Sequence, residues 1–191
     1  MIIWVVLLLT YSVASRLTYV GWVGYALRRQ ERDGYFTRVD GVEPGYRKFR
    51  RRATILMRND AVSIVAVCLV TRYSPALALP RGILFLMGAV LAAIGLGVKL
   101  WAARTLGDDA YYWHNFFAPG EHVAPDPPGP YRYLKNPMYT VGYLHAYGLA
   151  LALGSVAGLA IACFDQIAIL AFHHLVEKPH YDRLTLPATG R

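Results

Sequence analysis

Five runs of apolar residues, each near the length that crosses a bilayer, constrain this chain more than any other feature. A transmembrane helix needs about 20 mostly apolar residues. Such runs occupy Ile2 to Leu27, Ala61 to Leu79, Ile83 to Ala103, Met138 to Leu153, and Val156 to about Val176. Composition agrees: 55% of the 191 residues are hydrophobic and 17% are charged, where a soluble domain carries roughly 25% charged residues. Mean hydropathy is +0.31. Soluble, disordered, collagen-like and disulfide-scaffold classes are excluded. The expected fold is all-α: a polytopic membrane protein of about five transmembrane helices in one integral domain, 1–191. Residues 1–103 supply three spans, and 104–191 a loop, a C-terminal helical hairpin and a tail. Only Gly154-Ser155 separates the last two runs, which predicts the hairpin. The opening MIIWVVLLLTYSVAS lacks a basic start and a good small-residue cleavage pattern, so it reads as a retained span.

Charge placement gives an orientation. Ten of the 20 basic residues lie between Arg28 and Arg58, beside only four acids, Glu31, Asp33, Asp40 and Glu43. Basic segments beside spans mark the cytoplasmic side and are attracted to anionic headgroups. That placement points to a membrane surface rather than to nucleic acid. Alternation then puts Arg72 to Arg81 outside, and Arg104 to Lys135 inside with the C-terminal residues Lys178 and Arg183.

Polar residues stranded in spans are costly and often functional. Arg16 and Asp165 lie deep, where they can pair or line a polar cavity. Lys99 lies near a span end and is expected to snorkel to the interface. Cys68 and Cys163 sit in apolar runs and read as small hydrophobes, with no metal-ligand spacing around them. Asp108-Asp109 reads as a solvated turn, and Gly95-x-Gly97 lacks the third glycine and the preceding strand of a dinucleotide motif.

The chemistry concentrates in Arg104 to Pro137. This 34-residue connection carries six aromatics between Tyr111 and Tyr131, whereas ordinary connections run about four to six residues. A folded cap or binding loop is expected. It leads into the fourth run through GPYRYLKNPMY, Gly129 to Tyr139, with Pro137 suited to the first turn of a helix. Donors at such a helix start favour a carboxylate or phosphate.

GPYRYLKNPMY resembles the GPYRxxRHPxY signature of the integral-membrane methyltransferases. That family contains the isoprenylcysteine carboxyl methyltransferases and the small phospholipid N-methyltransferases. A hydrophobic hairpin follows here as in the family, ending at His173-His174-Leu175-Val176-Glu177-Lys178-Pro179, where the family has a Glu-Glu pair. Thr105-Leu106-Gly107 resembles the family's upstream Leu-Gly. The resemblance covers about Trp101 to Arg183.

The resemblance implies S-adenosylmethionine as cofactor, bound at the cytoplasmic side between this loop and the last two helices. It implies catalytic roles for Tyr139, Glu177 and Arg132. Cofactor contacts are implied from Tyr131, Tyr133, Asn136, Pro137, Met138 and Glu177, with no metal. The acceptor implied is a lipid or lipidated small molecule reached from the membrane, either a prenylcysteine-type carboxylate or a phospholipid amine. Three features depart from the family pattern: Lys135-Asn136 replaces Arg-His, Glu177-Lys178 replaces Glu-Glu, and His180-Tyr181-Asp182-Arg183 replaces a Phe-Gly-x-x-Tyr tail. Asn136 cannot take up a proton, so an amine acceptor needs a base elsewhere, with His114, His173 and His174 the candidates. A sterol-reductase-like, NADPH-dependent oxidoreductase and a non-enzymatic membrane scaffold are the alternatives.

Overall fold

The computed structural model describes residues 2–74, 76–119 and 129–185, and those residues form helices and turns. Helices α1 (Ile2–Asp33), α3 (Val42–Val70) and α4 (Arg81–Tyr111) are long and apolar enough to cross a membrane. So is a fourth rod, in which α6 (Val156–Phe172) passes through a π-helical turn, His173–Glu177, into α7 (Lys178–Thr185). Their outward faces are apolar, as with Ile3, Leu7, Phe85 and Leu86, the inverse of a soluble surface.

The basic segment 28–58 is mostly helix rather than loop. With 32 residues, α1 is about 48 Å long at 1.5 Å per residue, so it outruns a hydrocarbon core of about 30 Å. Arg and Lys are good helix formers, and the helix continues into the headgroup region. Only residues 34–41, including the single turn α2 (Thr37–Asp40), reverse the chain. Gln30 fixes that reversal: its side chain accepts from the Phe36 N–H at 2.9 Å and donates to Thr37 Oγ1 at 3.0 Å.

Two expected spans are corrected. The second ends at Val70, and Leu77 and Leu79 belong to the following connection. There Tyr73 and Ser74 donate backbone N–H groups to the carbonyls of Leu153 and Gly154. The fourth, expected over Met138 to Leu153, runs along α4 from Tyr139 beside Glu177 to Leu153 beside Tyr73, but only α5 (Leu144–Ala152), nine residues or about 14 Å, is regular α-helix. A turn at 136–140 and a 3-10 turn at Val141–Tyr143 occupy the rest. Pro137 therefore lies in a turn seven residues before the helix, not in its first turn. Asn136 adopts φ +54°, a left-handed conformation that Asn tolerates, and Gly142 N–H closes onto the Pro137 carbonyl at 2.7 Å.

Close backbone packing holds α5 in place. A Cβ on Gly88 would meet backbone atoms of Gly148 and Ala152, and one on Gly148 would meet backbone atoms of Gly88 and Ala92. One on Gly95 would meet the backbone of His145. This is small-residue packing of the kind that brings membrane helices together. At the opposite turn Gly154 has φ +62°, and Ser155 caps α6 by accepting from the Gly158 N–H at 2.8 Å.

The described part of the expected loop is folded onto the basic ends of α1 and α3; residues 120–128 lie outside the described residues. Trp113, Phe116 and Phe117 are buried. Phe49 packs on Phe36, Trp113 and Phe117, and Tyr46 sits edge-on to His114. Arg50 reaches Asp108 at 3.1 Å. Residues near 28–50 and near 104–117 thus share one end of the bundle.

Candidate functional site

The π-helical turn inserts one extra residue into the rod and aims Glu177 inward. Such turns recur at functional sites. Glu177 is buried and collects donors from three elements. Trp113 Nε1–H and Tyr139 O–H both reach Oε1, at 2.5 and 2.8 Å. His173 Nδ1–H reaches Oε2 at 2.6 Å. A carboxylate offers about four acceptor positions, so Glu177 keeps capacity for one further donor. Burial, reinforced by the Glu177 charge, holds the Tyr139 phenol well above its ordinary pKa of 10.0, so it remains a donor. Tyr131 is raised likewise by burial, with smaller effects from Tyr181, Glu177 and Tyr111, and its buried hydroxyl has no hydrogen-bond partner among the described residues.

A cavity of about 220 Å³ opens against this group between α1, α3, α4, α5 and α6. Tyr111, Trp113, Met138 and Tyr139 line its Glu177 end. Farther in, Arg16, Asp60, Lys99, His145 and Asp165 line it as well. Arg16 pairs with both acids, Nη2 to Asp60 Oδ2 at 2.7 Å and Nε to Asp165 Oδ1 at 3.1 Å, and donates to Tyr143 Oη at 2.7 Å. Both sequence options for Arg16 and Asp165 are therefore realised: they pair, and they line a cavity. Lys99 does not run to the interface. It faces the cavity because Gly95 and its neighbours turn that face of α4 onto α5.

Of the residues singled out by sequence, the structure gathers Tyr139, Glu177, Met138 and Tyr131 around one site. Pro137 is buried and Asn136 half-buried in the adjoining turn. Arg132 and Tyr133 are exposed. Among the candidate bases, His173 is engaged with Glu177, His174 is exposed with Nδ1 on the Leu170 carbonyl, and His114 lies by Glu43 at 3.3 Å. Sequence reasoning missed Trp113, Asp60 and His145. Trp113 is one aromatic in a run of them, Asp60 sits at the edge of an apolar run and resembles a polar flank, and His145 is a lone imidazole inside the run Met138 to Leu153.

These features define an all-α membrane protein with a buried carboxylate held by Trp113 and Tyr139, which line an aromatic-to-polar cavity. A family profile described as phospholipid methyltransferase matches residues 83–184, and the chain belongs to that family. It is 34% identical over 146 residues to a phosphatidylethanolamine N-methyltransferase of Talaromyces marneffei, covering 75% of this chain and 14% of that protein. It is 37% identical over 105 residues to a phosphatidylethanolamine N-methyltransferase of Candida albicans, covering 53% of this chain and 12% of that protein. The chain thus matches a small fraction of the length of these relatives. No solved structure matches it significantly. The family match favours neither the reductase nor the scaffold alternative.

Proposed function

We propose that this chain is an S-adenosylmethionine-dependent methyltransferase acting on a phospholipid amine, with its site at the cytoplasmic end. The observation that carries the reading is Glu177, held by His173 and by the cavity-lining Trp113 and Tyr139, inside the segment that matches the family.

The residues present suit the cofactor. It supplies an electrophilic methyl group on a sulfonium. Glu177 has room for one more donor, such as an ammonium. Tyr131 offers an unpartnered buried hydroxyl, and the aromatic faces of Tyr111, Trp113 and Tyr139 attract a cation. Gly107, at φ +75° and ψ 165°, leaves bare backbone with nothing within 4 Å of where a Cβ would stand, which permits close approach by a ligand.

Methyl transfer is an in-line displacement, so the chain's task is alignment and exclusion of water. Buried Trp113, Phe116 and Phe117 close the end of the bundle over Glu177. The cytoplasmic side is inferred from the basic ends of α1 and α3, which this site shares. The amine is favoured over the carboxylate acceptor by the activity named for the relatives. Calorimetric titration of the purified protein with S-adenosylmethionine and with NADPH tests the reading. Saturable binding of the first alone is expected, and binding of NADPH alone would overturn it.

A further inference from the structure

The inner half of the cavity does nothing for Glu177. It lies beyond Tyr139 and Trp113, and it holds charges that the packing leaves unfinished. Arg16 serves two carboxylates, yet Asp60 Oδ1 and Asp165 Oδ2 are buried and accept no hydrogen bond among the described residues. Lys99 lines the same space and has no carboxylate within salt-bridge distance among the described residues. Buried unpaired groups are costly, so their persistence beside a cavity marks a place where a ligand completes them.

His145 is the third element. Its Nδ1 lies 2.6 Å from the Gly142 carbonyl, and a carbonyl only accepts, so Nδ1 carries the hydrogen. In the neutral ring this leaves the lone pair on Nε2, free to accept a proton in the cavity. The signature position that carries His in the family resemblance is Asn136 here, and His145 is the imidazole that the fold brings to the cavity instead.

The charges also select the ligand. Arg16 and Lys99 balance Asp60 and Asp165, so the pocket is neutral overall, and Arg16 holds both acids while Lys99 and one oxygen of each acid are left over. A zwitterion meets both signs without unbalancing the site, whereas a lone carboxylate meets one. The whole cavity, its Glu177 end included, is about 220 Å³ against the roughly 150 Å³ that admits benzene to an engineered core, so its inner part suits a headgroup and not acyl chains. Those can stay in the bilayer, because α3 and α4 both line the cavity yet hardly pack on one another.

Building on the methyltransferase reading, we propose that this inner cavity is the acceptor headgroup site for a zwitterionic aminophospholipid. Lys99 meets the phosphate, the free oxygens of Asp60 and Asp165 meet the ammonium, and His145 Nε2 takes its proton. The ammonium first loses one proton to His145 Nε2. The freed nitrogen lone pair then forms a bond to the methyl carbon as the carbon–sulfur bond breaks. The electrons of that bond remain on sulfur, leaving a neutral thioether. The product is a methylated ammonium, and His145 passes its proton to water.

The test separates acceptor binding from transfer. Delipidated protein is titrated, without cofactor, with short-chain phosphatidylethanolamine and with phosphatidylglycerol, and bound lipid is read by native mass spectrometry. The wild type should prefer the zwitterion. Lys99→Met should weaken its binding about tenfold or more, Lys99→Arg should restore most of it, and calorimetric affinity for S-adenosylmethionine should be unchanged in both. His145→Gln should keep lipid binding within a few-fold while kcat falls about 100-fold or more. Equal binding of the lipid by wild type and Lys99→Met, or full turnover by His145→Gln, would overturn the proposal and leave the methyltransferase reading intact. Absence of S-adenosylmethionine binding would overturn that reading, while the cofactor-free lipid titration would still decide whether the cavity binds the headgroup.

Discussion

Tyr139 donates its phenolic hydrogen to Glu177 Oε1 at 2.8 Å, joining the turn after GPYRYLKNP to the C-terminal rod. The two residues are 38 positions apart, and the contact exists because the rod widens into a π turn at His173–Glu177. It ties the cavity-lining Tyr139 to Glu177 and gives the carboxylate a fixed orientation.

If Glu177 receives the cofactor's ammonium, Glu177→Ala removes a charge-assisted contact worth about 1.5–3 kcal/mol. Calorimetry should then show S-adenosylmethionine binding roughly 10- to 150-fold weaker. Tyr139→Phe should cost less, about tenfold, since it loosens the carboxylate without removing it. An unchanged dissociation constant in Glu177→Ala would dismiss the assignment.

Arg16 is the common partner of two buried acids. Arg16→Met leaves both without a counter-charge, and breaking such a group costs about 3–5 kcal/mol. The thermal midpoint in detergent should drop sharply. Adding Asp60→Asn and Asp165→Asn to the same chain should recover part of the loss. No drop in the single variant would show that the cluster contributes nothing to the bundle.

The glycines of α4 are not equivalent. Gly88→Ala places its Cβ on the backbone of Gly148 and Ala152, while Gly97→Ala meets nothing within 4 Å. Overpacking of this kind costs about 1–3 kcal/mol or more, whereas Gly97→Ala should be neutral or slightly stabilising. Melting curves of the two variants side by side check this, and equal midpoints would contradict the α4–α5 packing.

Much of this was readable from sequence, and the failures have physical causes. Long apolar runs announced the four long helices, because burial in lipid demands them. Tyr139 and Glu177 were legible because a motif and its spacing carry them. The shortness of α5 was hidden, since Val141–Tyr143 is as apolar in a 3-10 turn as in a helix. Lys99 was misplaced because a hydropathy window reports depth and not azimuth, and only the α4–α5 contact decides which way it points. The pairing of Arg16 with Asp60 and Asp165 joins three helices, and no local pattern records it.

Orientation gives a separate prediction. Cysteines introduced as Thr37→Cys and Asp108→Cys lie at the same end of the bundle and should both resist an impermeant thiol reagent in intact cells. Pro80→Cys, at the opposite end, should react. Labelling of Asp108→Cys from outside would reverse the assigned topology.

Methyl transfer to an aminophospholipid is measured most directly on purified protein in lipid nanodiscs. S-adenosylmethionine with an isotopically labelled methyl group is supplied, and the lipids are analysed by mass spectrometry. Labelled N-methylated phosphatidylethanolamine should be formed by the wild type and strongly reduced in Glu177→Ala. Cofactor binding without any labelled lipid, while a tail-free soluble acceptor is methylated, would contradict it.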